Sequence, residues 1–199
     1  MKDLKHYMVL AEVFRYPTPE RSACVDEWLK IVKTAVPELM PKFDSFVEHI
    51  QQKTIAGQQE YYIATFDVQA LCYLDIGYVL YGEDYNRGVF LANMKKEQEM
   101  AGNNCGSELP DHLPNILTLL PKLRDENLAE ELIVSMMVPA LENMIESFQS
   151  AGNVYKGMLE ILLRIMERDF LDSKFERFSF TSQGKAKSFE CLPQWRNIK

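Results

Sequence analysis

Apolar residues recur at spacings of three, four and seven along almost the whole chain, and this pattern constrains the fold more than any other feature. Residues repeating in that way gather on one face of a helix, whereas a half-buried strand needs strict alternation. No run of alternating residues demands a sheet. The first helical face holds Leu4, Tyr7, Met8, Ala11 and Phe14, with Asp3 placed to cap it and Tyr16-Pro17 to stop it. Thr18-Pro19-Glu20 then supplies a cap, a proline at the first helical position and an acid in the first turn. That second helix turns Ala23, Cys24, Trp28, Val32 and Ala35 inward and ends at Pro37. A third runs from about Pro41 to Ile55, with Phe43, Phe46, Val47 and Ile50 inward, and Gly57 closes it.

From Gln58 to Tyr81 apolar residues cover most of the circumference, among them Tyr61, Tyr62, Phe66, Leu71, Tyr73, Leu74, Tyr78 and Leu80. This stretch is expected as one long helix at the centre of a bundle. Gly82 is its C-cap, and Asp84 caps a further helix that reaches Ala101-Gly102. Residues 103–110 have little periodicity and read as a loop. A short helix follows from Asp111 to about Leu123, with Pro114 in its first turn. The long pattern from Asp125 to Ala151 contains Pro139, which removes a hydrogen bond and predicts a kink. Gly152-Asn153 breaks it, and Val154 to Phe170 forms the last helix. The expected architecture is all-α: a single-domain helical bundle over 1–172, then a basic C-terminal tail over 173–199 that is irregular or lies as an extended strap.

The 199 residues are 47% apolar and 26% charged, enough for a core of their own and unlike an intrinsically disordered chain. The net charge of −7 excludes nucleic acid as the main partner, because a phosphate backbone needs a clustered basic face. The charge is uneven. The tail carries Lys174, Arg177, Lys185, Lys187, Arg196 and Lys199 against Glu176 and Glu190, so the acid excess lies wholly in the body. An acidic body suits a basic partner. No apolar run approaches the roughly 20 residues of a membrane span, so no stable membrane insertion is expected. Met1-Lys2-Asp3 leads straight into an amphipathic stretch rather than a signal peptide. Cys24, Cys72, Cys105 and Cys191 lie far apart without a CxxC pair, and a cytoplasmic location with reduced thiols follows.

Catalytic signatures are missing. The three histidines, His6, His49 and His112, form neither a Glu-x-x-His pair nor an HExxH helix. There is no GxSxG elbow, and Gly184-Lys185 lacks the rest of a phosphate loop. No resident metal or prosthetic group is expected.

The informative stretch begins at Tyr81-Gly82-Glu83-Asp84-Tyr85-Asn86-Arg87-Gly88. Glu83 and Asp84 stand where acids complement a helix dipole. Arg87 and Gly88 put a charge and a helix-weakening glycine in the first turn, and Gly88 would let another backbone come close. The second segment is Glu108-Leu109-Pro110-Asp111-His112-Leu113-Pro114. There Asp111 can cap the following helix, and the neighbouring carboxylates of Glu108 and Asp111 favour a charged His112. Glu83, Asp84, Glu108 and Asp111 would bring four carboxylates to one groove, with Arg87 pairing to one of them. Tyr78, Tyr81, Phe90 and Met94, with Met136, Met137 and Met144, would line it or simply fill the core.

With the Gly82-x4-Arg87-Gly88 turn and ELPDHLP at 108–114, the chain resembles the family of cytoplasmic assembly chaperones for respiratory nitrate reductase, the delta-chain or NarJ type. That family is grouped with the TorD/DmsD-type chaperones of molybdenum enzymes. The resemblance also takes in Pro139-Ala140-Leu141 and Asn153-x-Tyr155 and spans roughly residues 4–170. Gln98 departs from it, where relatives place an aromatic residue. The resemblance implies an all-helical chaperone without catalysis. It would bind the N-terminal segment of a molybdenum-containing catalytic subunit, a twin-arginine leader or its remnant, until the molybdenum cofactor is inserted. The Glu-x-x-Asp-His core of the family motif falls on Glu108, Asp111 and His112. A peptide-binding surface of Tyr81, Glu83, Asp84, Arg87, Glu108, Asp111 and His112 is therefore expected. A helical enzyme or nucleotide-binding protein, with a site that leaves no mark in the sequence, is the alternative. Oligomeric state stays open.

Overall fold

The computed structural model describes residues 2–148 and 152–180, and over these the chain is a helical bundle. Ten α-helices follow in order among them: α1 Lys5–Ala11, α2 Val25–Ala35, α3 Met40–Gln52, α4 Ile55–Phe66, α5 Ile76–Tyr81, α6 Tyr85–Met100, α7 Leu113–Leu119, α8 Glu126–Glu131, α9 Val138–Ser147 and α10 Val154–Asp169. One antiparallel bridge, between Asp75 and His112, joins the segment before α5 to the start of α7.

α10 is the axis of one half. Its buried stripe of Tyr155, Leu159, Leu162 and Met166 packs against α3 and α9. Tyr155 meets Phe46, Tyr62 and Phe66 edge to face, with centroids 5.8, 5.8 and 4.8 Å away. Arg21 is buried in this aromatic cluster, donating to Tyr155 Oη at 3.0 Å and to the carbonyl of Val13. α7 is buried along its entire length and packs against α1. The N-terminal arm is tied to the far end of α10 by Tyr7 Oη, which donates to Asp169 at 2.8 Å.

Several element boundaries differ from expectation. The first helix ends at Ala11 and continues as a tight 3-10 turn, and Met8 faces outward. Pro19–Cys24 is also a 3-10 turn, leaving Ala23 exposed and Cys24 half-buried. Gly57 does not close α3. It sits in the first turn of α4, where its N–H donates to Thr54 Oγ1 at 3.2 Å.

The long central helix expected over 58–81 is two helices, α4 and α5, with an irregular link over 67–75. The link satisfies its backbone elsewhere. Leu71 and Cys72 N–H groups both donate to the carbonyl of Thr65, and Gln69 takes a positive φ of 53°. The carbonyl of Leu74 accepts from Leu113 N–H at 2.9 Å, and Ile76 N–H donates to Asp111 at 3.0 Å. A non-local bridge has replaced local helix here, as tertiary contacts do when they outweigh propensity.

Pro139 stands in the first turn of α9. Leu132–Met137 is a π-helical turn between α8 and α9. After α10 the chain runs on as an extended strap to Phe180, and Phe178 is buried against the bundle. The remainder of the 173–199 tail lies outside the described residues.

Candidate functional site

Asp75 is the hub around which the expected site residues are arranged. It precedes α5, and the bridge to His112 brings the two side chains together: His112 Nδ1 lies 3.0 Å from Asp75 Oδ1. Asp75 Oδ2 lies 3.7 Å from Arg87 Nη2, and the Arg87 guanidinium covers the Tyr78 ring at 5.0 Å. His112 thus pairs with Asp75 and not with its sequence neighbours Glu108 and Asp111, because the bridge turns it toward α5. Arg87 likewise selects Asp75, and none of the four carboxylates expected for it.

Asp111 does not cap α7. Its side chain is fully buried and turned away, and its Oδ2 accepts the backbone N–H of Gly77 at 2.9 Å. His112 holds the N-cap position without a side-chain capping bond. Burial, and then the charge of Asp75, pushes the Asp111 carboxyl up to about 6, against the opposing pull of the Gly77 N–H and of Arg87. Its Oδ1 has no hydrogen-bond partner. The residue that lets a carboxylate come so close is Gly77. A Cβ there would stand 2.7 Å from Asp111 Oδ2 and 2.8 Å from the Phe90 ring. The close approach expected at Gly88 is absent, since nothing lies within 4 Å of a Cβ built there.

Glu108 is exposed and, with His112 and Asp75, lines a groove of 720 Å³. Asp67 adds a further carboxylate, and Tyr16 and Tyr73 add aromatic faces that are 48% and 46% exposed, large for rings of this size. Phe66, Tyr62 and Leu74 form its apolar floor. Glu108 and Asp67 both reinforce the burial that holds the Tyr62 hydroxyl above its usual range, so their charges reach the groove floor.

The remaining expected residues lie apart from this groove. Tyr81 is buried at the end of α5, 6.0 Å from the Phe90 ring and 5.4 Å from that of Phe178. Glu83 and Asp84 are exposed on the next turn, where Asp84 Oδ1 caps α6 by accepting Asn86 N–H at 2.9 Å. Phe90, Met94, Met136, Met137 and Met144 are buried core and do not line this groove. Asp75, Asp67, Tyr16 and Tyr73 were not expected at the site; Tyr16 was read only as a helix stop and Tyr73 only as part of the central apolar face. For Asp67 and Asp75 a signal existed: each is an acid within a largely apolar run long enough for a central helix.

Gln98 turns out to be structural. It is buried and donates through Nε2 to the carbonyls of Pro110 and Asn115, while its Oε1 accepts from Asn103 Nδ2 at 2.6 Å. An amide in place of an aromatic residue here pins the 103–110 loop to α6 and α7, and so fixes Glu108 at the groove. A second groove, of 610 Å³, lies between the N-terminal arm, α8 and the end of α10, and contains none of the expected residues.

No group of three or more His, Cys, Asp or Glu side chains among the described residues could hold a metal ion. No helix among them is long and apolar enough to cross a membrane. No family model matches the chain. Among curated proteins, the chain is similar to the "Probable nitrate reductase molybdenum cofactor assembly chaperone NarJ" of Bacillus subtilis (strain 168). The two are 23% identical over 163 residues, which cover 81% of this chain and 88% of that protein. The match supports a NarJ-like chain. It spans most of both proteins. The curated NarJ protein is named as an assembly chaperone and not as an enzyme.

Proposed function

We propose that this chain is a cytoplasmic assembly chaperone, related to the TorD/DmsD-type chaperones. It would bind the N-terminal leader, or leader remnant, of the molybdenum-containing catalytic subunit of a nitrate-reductase-like enzyme. It would hold that subunit until the molybdenum cofactor is inserted, and it would carry out no catalysis. The observation that carries the reading is the 720 Å³ groove, in which Asp67, Asp75 and Glu108 stand around exposed tyrosines over an apolar floor. The name of the similar NarJ protein points to the same role. Three described cysteines, Cys24, Cys72 and Cys105, are free thiols, in keeping with a reducing compartment.

The chemistry of the groove suits a leader. Such a segment offers a basic pair followed by an apolar stretch, which can lie as a helix in an apolar groove. Arginine pairs with carboxylates in a bidentate fork, and the tyrosine faces accept its plane. Exposed pairs contribute only about 0–1 kcal/mol each, so the apolar stretch supplies most of the affinity at roughly 25 cal/mol per Å² buried. Asp111 and Arg87 serve this site indirectly: they hold Asp75 and His112 in place and do not touch the peptide.

The reading is tested by titrating the purified chain with N-terminal peptides of molybdoenzyme catalytic subunits encoded near its gene. Saturable binding of one such peptide is expected. If none binds, and the chain turns over a small molecule instead, the chaperone reading fails.

A further inference from the structure

The strap that ends the described chain sits in a slot of defined chemistry. Pro139 has no N–H, so the carbonyl of Ser135 lacks the donor that residue 139 would supply. Ser135 is buried, and the backbone N–H of Phe178 reaches its carbonyl at 2.9 Å. The Phe178 ring is buried edge-on against Tyr81, at 5.4 Å between centroids. Arg177 points the other way, with Nη1 2.8 Å from Glu142 and Nη2 3.5 Å from Glu167. These contacts need only an extended backbone N–H, an aromatic ring and a preceding cation. Any extended segment with a basic residue before an aromatic one can offer them, by main-chain donation for affinity and side-chain pockets for choice.

We propose that Tyr81, the Ser135 carbonyl, Glu142 and Glu167 form an exchangeable docking slot for an extended basic–aromatic segment of a partner protein, with the strap as its resting occupant. The slot shares no lining residue with the 720 Å³ groove and does not depend on the leader reading. It explains why Tyr81, singled out beside the Gly82 turn, is covered by the chain's own tail.

The test uses the full chain and a fluorescent peptide with the sequence of residues 173–180. In the parent chain the strap competes in cis, so the apparent affinity is reduced by the fraction of time the slot is open. Phe178→Ala in the full chain removes the resting ring, and the peptide should then bind about tenfold more tightly or better. Adding Glu142→Lys should undo most of that gain, and a peptide with glutamate in place of its arginine should recover it. Hydrogen exchange on the unaltered chain gives a readout without substitutions. Saturating peptide should speed exchange of the Phe178 amide, because the strap leaves Ser135. If a folded Phe178→Ala chain binds the peptide no better than the parent does, the proposal is overturned. It is equally overturned if the parent's Phe178 amide keeps its protection under excess peptide, and this second readout decides alone should the variant not fold.

Discussion

At the scale of single residues, the Gly77–Asp111 contact decides how the ELPDHLP segment is held. Asp111 lost most of its solvation to reach Gly77, and its carboxyl is pushed up to about 6 from an ordinary 3.8. A carboxyl raised in this way binds its proton more tightly folded than unfolded. Its favourable contribution is complete below pH 4 and is lost as the pH rises through about 6. Asp111→Asn should therefore flatten the pH dependence of stability between pH 4 and 6. The span at stake is on the order of 3 kcal/mol at most, read by urea denaturation at several pH values. Identical pH profiles for parent and variant would refute the assignment. Gly77→Ala tests the other partner. Alanine gains roughly 1 kcal/mol of helix propensity. The Cβ nevertheless meets Asp111 and Phe90 below 3 Å, and neither buried side chain can give way. A net loss of about 1–3 kcal/mol is expected in denaturant titration. A variant as stable as the parent would show that the helix can shift to make room.

At the scale of elements, the sequence was legible at several helix ends that local chemistry sets, though not at Gly57, which was read as closing α3 and lies in the first turn of α4. Asp84 caps α6 and Gly82 ends α5 at a φ of 63°, as read, and Asn153, read only as a break, caps α10 through its side chain. The reading failed where a partner distant in sequence decided. The 58–81 run broke because Leu74 and Ile76 hydrogen-bond to residues 111–113, and no periodicity encodes a contact of that span. The same break hid Asp75, which was read as part of a helix and is in fact the shared partner of Arg87 and His112. Glu108 and His112, both named by the motif, do line the groove. Pro139 was legible as an interruption of the 125–151 pattern, but the acceptor it frees for Phe178 was not. That consequence is testable. Pro139→Ala restores an N–H that competes for the Ser135 carbonyl, so the Phe178 amide should exchange faster in the variant. Unchanged protection would mean that the π-helical turn is set by packing and not by the proline.

At the scale of the whole molecule, an acidic body presents a groove where carboxylates, exposed tyrosines and an apolar floor coincide. Raising salt should weaken leader binding only moderately, because screening acts on the charged contacts and leaves apolar burial untouched. A loss that followed salt as steeply as nucleic-acid binding does would put the affinity in charge alone. The most direct measurement is a peptide titration with three forms of the chain, using the N-terminal segment of the client subunit and following fluorescence anisotropy. Asp67→Asn with Glu108→Gln removes two exposed groove carboxylates, and Glu83→Gln with Asp84→Asn removes the pair on the separate turn. The groove variant should bind about tenfold more weakly than the parent, with unchanged helical content, and the turn variant should stay within about twofold. Equal binding by the groove variant and the parent, or a larger loss in the turn variant, would contradict the assignment of client recognition to this groove.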